Sequence, residues 1–560
     1  MDRSLLSGDE AVALAALHAG VILGTGYPGT PSTEILEAFF ELGGKAQWAP
    51  NEKVALEVGL GAAFAGGRAL VTMKHVGLNV AADPLFTAAY TGVSGALVVV
   101  SADDPGMASS QNEQDNRHYA VAAGLPMVEP ADAQQAYDYF LHAITISERW
   151  GIPVIFRMTT RVCHSKSVVI SGRTEIAPPG PTHFEHDLPD RVMIPAYARP
   201  AHKRLRAKLA EIAAWGETCE LNREIPADAT AAGAAYTTLG LVASGVSVLH
   251  AAEAAPGARI LALGLTYPLP IERVRAFAGS VDRCVVIEEG DPVMTDTFHA
   301  AGIDLEGKPE TYRFGELNVG RVRRILGHDA LEERPVPTGK APELCSACPY
   351  HTVYNTLRKH DCIGAGDIGC YSLGVLPPYQ VMDTLVDMGA SIPVGLGLRH
   401  ALPDEQARRV VSIIGDSTFI HSGIPGLVEM IYNPPPTGHV VIVLDNGTTA
   451  MTGQQEHPAT GRTMEHTRTG HVSIEGVAQA LGIPSVTVMD PYEDPDTFER
   501  LLIERLAARE LSVIVARRPC VLAAADIRRW EQAAAAAANP IQMAPEAAVA
   551  AAGAATGGAA

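Results

Sequence analysis

Asp416 stands in Gly415-Asp416-Ser417, at the end of the apolar run Val410-Val411-Ser412-Ile413-Ile414. Asn446 stands in Asp445-Asn446-Gly447-Thr448, at the end of a second run, His439-Val440-Val441-Ile442-Val443-Leu444. A carboxylate and a carboxamide at two strand ends, with a backbone carbonyl beside them, suit Mg²⁺ holding a diphosphate. Such a small hard cation takes oxygen ligands and keeps phosphate oxygens among them. The glycine beside Asp416 lets a phosphate approach the backbone closely. Glycine followed by aspartate is common at strand ends, so the same residues also fit two ordinary strand-terminating turns.

This pattern resembles the motif of thiamine-diphosphate enzymes, Gly-Asp-Gly followed about thirty residues later by Asn, with Ser417 in place of the last glycine and Asp445 in place of the first of the usual paired asparagines. Such a cofactor needs its aminopyrimidine in the imino form, and a carboxyl held against the ring nitrogen in an apolar pocket favours it, its pKa raised by desolvation. Glu52, in Asn51-Glu52-Lys53 before the small-residue stretch Gly61–Gly66, is the candidate, and Glu57 the competitor. An acid in a first helical turn also favours the helix dipole with no further role.

Cysteines supply a third group. Cys345-Ser346-Ala347-Cys348 precedes Pro349, Cys370 closes Gly366-Asp367-Ile368-Gly369, and Cys520 follows Arg518-Pro519. A lone Cys-x-x-Cys fits a zinc half-site or a redox pair. Four thiolates together would suit an iron–sulfur cluster, although spacing does not decide whether Cys370 and Cys520 meet the pair. Cys163, Cys219, Cys284 and Cys362 read as small buried residues.

The elements that must position these groups follow from periodicity. Both apolar runs read as buried strands, and His421 to Tyr432 suits the helix between them. Such a βαβ unit puts both strand ends on one sheet edge, where α/β folds bind ligands. Residues 1–165 alternate helix-like segments (Ala11–Ala19, Ser32–Phe40, Val54–Ala65) with extended ones (Val21–Gly26, Ala96–Ser101, Ile152–Met158) and read as one doubly wound domain. Prolines at 178, 179, 181, 189, 195 and 200 mark 166–235 as an extended linker with a basic helix, His202 to Trp215. A shorter α/β unit spans 236–330, with strands at Leu239–Val242, Ile260–Leu265 and Arg283–Glu288. A third unit, 341–530, holds the opening motif and the candidate cysteines, and the Ala/Gly-rich 532–560 reads as a disordered tail whose first part can extend the helix before it.

Composition excludes several classes. With 560 residues, 47% hydrophobic and 19% charged, the chain has apolar material for several cores. A formal net charge of −20 argues against general nucleic-acid binding, which needs a basic face. The N-terminus lacks a basic-then-apolar signal pattern, and no uncharged apolar run is long enough to span a membrane. Eight cysteines in so long a chain suit a reducing compartment, so the expectation is a cytoplasmic, multidomain α/β protein.

Blocks spread over most of residues 1–525 carry a family resemblance. They include Tyr27-Pro28-Gly29-Thr30-Pro31-Ser32, Asn51–Glu57, Met73-Lys74-His75-Val76-Gly77-Leu78-Asn79, Asp103-Asp104-Pro105-Gly106 and Ser109–Asp115. Further along come Cys345–Pro349, Gly366–Tyr371, Asp387–Ser391, Gly415–Gly423 and Leu444–Gly453. The chain resembles the large (alpha) subunits of indolepyruvate:ferredoxin oxidoreductase, within the thiamine-dependent 2-oxoacid:ferredoxin oxidoreductases. That resemblance implies a thiamine-diphosphate-binding fold: doubly wound parallel-sheet pyrimidine and diphosphate domains plus a transketolase-C-terminal-like domain. It implies that Asp416, the Asn446 side chain and the Thr448 carbonyl hold Mg²⁺, that Gly415, Ser417 and His421 meet the cofactor, and that Glu52 activates it. Thr30 would hold the substrate carboxylate, with Lys74, His75 and Arg117 in segments lining the same cleft. Cys345, Cys348, Cys370 and Cys520 match the ligands of a [4Fe–4S] cluster in pyruvate-type relatives.

The reaction implied is oxidative decarboxylation of an arylpyruvate, such as indolepyruvate or phenylpyruvate, to the aryl-acetyl-CoA. Electrons would leave through the cluster to ferredoxin or another acceptor. The implied assembly is a homodimer of this chain within a heteromer containing a smaller subunit, which completes the site, and coenzyme A takes the acyl group. The two Cys-x-x-Cys-x-x-Cys-x-x-x-Cys-Pro runs usual at the end of such subunits do not occur in these 560 residues, and Ser346-Ala347 replaces the expected Pro-Gly of the cysteine pair. Electrons are therefore expected to pass through a separate partner, or to an acceptor other than ferredoxin. The alternative chemistry is a non-oxidative thiamine-dependent decarboxylase or carboligase without a cluster.

Overall fold

The structure is a computed structural model that describes residues 2–184, 186–227, 238–331, 333 and 343–538. Two compact units divide the chain, residues 1–341 and 342–560.

In the first unit, long β-rich apolar runs lie at the centre of a seven-stranded sheet. Its order is Leu265–Tyr267, Met127–Val128, Val154–Thr159, Ala96–Asp103, Arg68–Lys74, Leu23–Gly26 and Ala46–Trp48. All neighbours are parallel except the first pair. Every residue of Arg68–Lys74 and Ala96–Asp103 is buried, as central parallel strands covered on both faces require. A four-stranded sheet in the same unit orders Arg283–Ile287, Leu239–Ser244, Arg259–Leu263 and Asn222–Ile225, the last antiparallel.

The stretch expected as an extended linker contains more structure than its prolines suggest. Ser167–Ile170 pairs antiparallel with Arg3–Leu6, and Asn222–Ile225 joins the four-stranded sheet. Both are four-residue edge strands, too short to show a period. The basic helix runs from Pro195 to Gly216 and carries Pro200 inside it. Pro195 opens it, in the first turn where a missing N–H costs nothing.

The second unit is built on a five-stranded, fully parallel sheet ordered Ile363–Ala365, Val410–Gly415, His439–Asp445, Leu511–Arg517 and Ser485–Met489. The two sequence-predicted strands are neighbours, with Gly415 opposite Leu444. Their carboxyl ends therefore lie side by side. The expected helix starts earlier than His421: a turn at Asp416–Thr418 passes through a π-helical stretch, Phe419–Gly423, into Ile424–Tyr432. A π-stretch widens one turn, and such bulges recur at functional sites. The helix Ala524–Ala538 carries the first residues of the expected tail; 539–560 lie outside the described residues. Among the described residues no helix is long and apolar enough to cross a membrane.

Candidate active site

In the first unit, Glu52 is the first residue of the helix Glu52–Phe64, behind an N-cap in which Asn51 Oδ1 accepts from the Val54 N–H at 2.9 Å. Its side chain turns inward and is 5% exposed. It passes over Gly77: a Cβ there would come within 2.5 Å of Glu52 Oε1, so only glycine makes room for the carboxyl. Glu57 lies on the exposed side of the same helix and pairs with Lys53. Burial thus separates two acids that the sequence leaves as competitors.

Thr30 sits half-buried in the turn before the helix Thr33–Glu41, where Gly29 packs against Lys74; a Cβ on Gly29 would meet Lys74 Cβ at 2.9 Å. Lys74 ends the strand Arg68–Lys74 and donates to the Ser109 carbonyl at 2.6 Å. Burial lowers its pKa, opposed by the nearby Asp104 carboxylate. His75 is fully buried, its Nε2 3.2 Å from the Asn112 carbonyl and its Nδ1 without a hydrogen-bond partner. Thr30, Lys74 and His75 therefore cluster at the carboxyl ends of the central strands, with Glu52 over Gly77 in the helix that His75 begins.

Arg117 has a different place. Its Nε and Nη2 donate to Asp115, its Nη1 to Glu288 at 2.6 Å, and Nη2 also to the carbonyls of Glu289 and Asp291 at 2.8 and 2.7 Å. Glu288 follows the strand Arg283–Ile287, so Arg117, with Asp115 and Arg157, ties the two larger sheets of this unit together. Arg157, which the sequence reading passes over, extends the network to Asp103 at 2.6 Å and Glu129 at 3.1 Å. Burial pushes Asp115 up, but Arg117 and Arg157 outweigh it and hold the carboxyl well below its ordinary range.

In the second unit, the two strand ends meet. Asp416 is 2% exposed; its Oδ1 accepts from the Ser417 N–H at 2.9 Å and its Oδ2 from the Gly447 N–H at 2.8 Å. Gly447 is the residue after Asn446, so carboxylate and carboxamide lie across one short gap. Asn446 donates from Nδ2 to the Tyr350 hydroxyl at 2.6 Å, and its Oδ1 accepts from the Thr448 N–H at 3.1 Å. Tyr350 thereby fixes which way the amide faces. Thr449 donates to the Ser417 hydroxyl at 2.9 Å, closing the turn, and His421 lies buried in the π-stretch, its Nδ1 2.6 Å from the Ser422 hydroxyl.

Two buried neighbours escape the sequence reading. His457 Nε2 lies 3.2 Å from Asp416 Oδ2 while its Nδ1 has no partner. It belongs to a loop with no periodicity to mark it. Tyr350 follows Pro349 directly, and its only sequence signal was that adjacency to the cysteine pair. Asp445, beside the gap, is pushed up to about 6 by burial and by Asp416, against the opposing Arg517 guanidinium at 2.7 Å.

The four singled-out cysteines gather near this gap. The Cys520 N–H donates to the Asn446 carbonyl at 2.9 Å, and the Tyr350 ring packs edge-on to Tyr371, the residue after Cys370. Burial pushes the Cys348 thiol up to about 12, and Cys345, Cys370 and Cys520 each add to it. Burial also lifts Cys370 to about 11, with Cys520 and Cys345 contributing. All four thiols are free. A single tetrahedral zinc with Zn–S bonds of about 2.3 Å would bring its sulfurs to roughly 3.8 Å. Among the described residues the only three-residue His/Cys/Asp/Glu group within 4.8 Å is Asp9, Glu34 and His164. Four thiol sulfurs are a donor set that an iron–sulfur cluster takes, and a zinc ion takes the same set. The all-oxygen set of Asp416, Asn446 and the Thr448 carbonyl fits a hard cation.

Comparison with known proteins accords with both halves. Residues 14–187 match the family described as pyruvate flavodoxin/ferredoxin oxidoreductase, thiamine diP-bdg, and residues 367–516 the C-terminal TPP binding domain of thiamine pyrophosphate enzymes. The chain is thus a thiamine-diphosphate enzyme with the α/β fold expected from its sequence. Indolepyruvate oxidoreductase subunit IorA of Methanothermobacter thermautotrophicus is 38% identical over 94% of this chain and 88% of its own. The corresponding subunit of Archaeoglobus fulgidus is 37% identical over 95% and 88%. The chain belongs to this family of indolepyruvate oxidoreductase IorA subunits. A solved 2-oxoglutarate:ferredoxin oxidoreductase from Magnetococcus marinus is similar over 59% of this chain and 65% of that one, at 16% identity and a TM-score of 0.49.

Proposed function

We propose that this chain is the large subunit of an oxidoreductase that converts an arylpyruvate such as indolepyruvate or phenylpyruvate, with coenzyme A, to the aryl-acetyl-CoA and CO₂. The names of its relatives support the substrate class and the need for further subunits. Thiamine diphosphate, when bound, supplies the carbon nucleophile and electron sink that decarboxylation requires.

The chain's own residues have separable tasks. Asp416, Asn446 Oδ1 and the Thr448 carbonyl hold Mg²⁺, while Gly415, Ser417 and His421 line the diphosphate turn. Glu52, fixed by its N-terminal position and by Gly77, holds a proton at its carboxyl against the pyrimidine ring. Thr30 orients the substrate carboxylate, with Lys74 and His75 behind it. Cys345, Cys348, Cys370 and Cys520 would hold a [4Fe–4S] cluster, which would supply one-electron transfer toward ferredoxin or another acceptor. A smaller subunit completes the enzyme, two copies of this chain form its core, and eight free thiols suit the reducing cytoplasm.

The observation that carries the reading is the gathering of four free thiols beside the Asp416–Asn446 gap, linked to it through Tyr350 and Cys520. The test is anaerobic co-purification with the smaller subunit, followed by iron, sulfide and thiamine analysis of one sample. About four irons per chain with bound thiamine diphosphate is the expected outcome. Thiamine diphosphate without iron, with release of an aldehyde, would put a non-oxidative decarboxylase in its place.

A further inference from the structure

Three helices of the first unit bring Asp9, Glu34 and His164 together. Asp9 is the second residue of the helix Gly8–His18, Glu34 lies in the first turn of Thr33–Glu41, and His164 ends Thr160–His164. One ligand atom from each lies within 4.8 Å of the other two. The packing that produces this is specific. A Cβ on Gly8 would come within 2.2 Å of the Val162 carbonyl, so glycine alone lets the first helix press onto the third.

Asp9 is the informative member. It is 1% exposed, and among the described residues neither carboxylate oxygen accepts a hydrogen bond from an N–H or O–H donor. The buried Cys163 thiol beside it is a weak donor. Among the described residues no guanidinium or ammonium pairs with it: Lys166, two residues past His164, is committed to Glu10 at 3.0 Å, and Arg161 to Glu316 at 2.5 Å. A carboxylate buried without partners is costly unless it is neutralised or coordinates a metal. Burial, and then Glu34, drive its pKa well upward, in keeping with an uncompensated charge.

We propose that Asp9, Glu34 and His164 form a structural site for a zinc-class divalent cation. One imidazole nitrogen and two carboxylate oxygens are a normal first-row transition-metal set, and water fills the remaining position. Zinc–ligand bonds of about 2.0–2.2 Å need donor atoms roughly 3.4 Å apart, closer than they stand here. His164 and Glu34 are 44% and 50% exposed in their side chains and 4.0 Å apart, so both are free to close on the rigid Asp9. The ion would fasten three helices at the one face, immediately after the turn that carries Thr30.

The test is zinc and Co²⁺ binding to the full chain purified anaerobically and then treated with chelator, by isothermal titration and elemental analysis. Wild type is expected to take up one ion more than His164→Gln, and Glu34→Gln to bind that ion at least tenfold more weakly. Cys345→Ser is expected to retain it, which separates it from zinc on the four thiols. Asp9→Asn is expected to abolish it; because that side chain is buried, the two exposed variants decide the matter if it fails to fold. A Co²⁺ spectrum with an imidazole ligand, lost in His164→Gln, would corroborate the site. Equal stoichiometry and affinity in wild type, His164→Gln and Glu34→Gln would overturn it, whatever cofactors the enzyme uses elsewhere.

Discussion

The Arg117–Arg157 network of the first unit and the strand-end gap of the second treat buried carboxylates in opposite ways. In the first, Asp103, Asp115, Glu129 and Glu288 each face a guanidinium, Arg117 or Arg157, at 2.5–3.1 Å. In the second, Asp416 is as deeply buried, yet among the described residues it meets only two backbone N–H groups and His457. A carboxylate matched by a fixed protein cation is part of the framework. One held by backbone dipoles keeps its charge for something else, and at the ends of two adjacent parallel strands a bound cation is the natural recipient.

The sharpest way to break this contrast is to neutralise Asp416. Asp416→Asn should leave thermal unfolding almost unchanged while activity falls by about 10³-fold or more, roughly 4 kcal/mol of barrier; retained thiamine and steady-state rates report it. A variant that unfolds instead would place Asp416 in the framework after all. Arg117→Ala should do the reverse. It strands Asp115 and Glu288 without their partner, and removing one member of a buried pair costs about 3–5 kcal/mol in stability. Denaturant unfolding measures this. Full stability with only a raised KM would return Arg117 to the substrate.

Tyr350→Phe is a smaller and more pointed change. It removes the acceptor that orients the Asn446 amide, and loss of an outer partner typically weakens a metal site about 10–100-fold. The expected result is weaker Mg²⁺ activation with kcat restored at saturating Mg²⁺; an unchanged Mg²⁺ dependence would show that the amide is oriented without it.

The smallest effect concerns pH. Burial lifts Glu289 from near 4.5 to about 7, opposed by the Leu317 N–H and Arg157, aided by Glu316, and opposed again by Lys308. A carboxyl with a raised folded pKa binds more protons folded than unfolded. Its contribution is complete below about 4.5 and is lost as pH rises through about 7, at a slope of at most about 1.4 kcal/mol per unit. Glu289→Gln should flatten that part of the stability profile, measured by denaturant titration at several pH values; an unaltered slope would assign it to other groups.

Much of the second half-site was legible because its signals are local. Two buried strands ending in Gly-Asp and Asp-Asn must lie on one sheet edge if they flank a helix, so the meeting of Asp416 and Asn446 follows from connection handedness. Glu52 was legible as a first-turn acid and as the candidate ahead of Glu57, but the room that Gly77 leaves for its carboxyl was not, since helical periodicity alone does not say which face is open. Tyr350 and His457 were unreadable for the same reason: each acts across about a hundred or forty residues of chain, through one atom-to-atom contact.

The amino-acid sequence by itself determined the parallel-sheet architecture, the location of the strand-end turn at Gly415–Ser417 and the identity of the thiol-bearing segments, because strand periodicity, turn glycines and short motifs are encoded in neighbouring residues. Tertiary structure alone decided which charges cancel. That Arg117 meets Glu288, that the Cys520 N–H meets the Asn446 carbonyl and that Asp9 lies beside Glu34 all depend on groups far apart in sequence. Burial then fixes the outcome, since electrostatic interactions strengthen as water is removed and a buried charge is stable only beside whatever the fold brings to it.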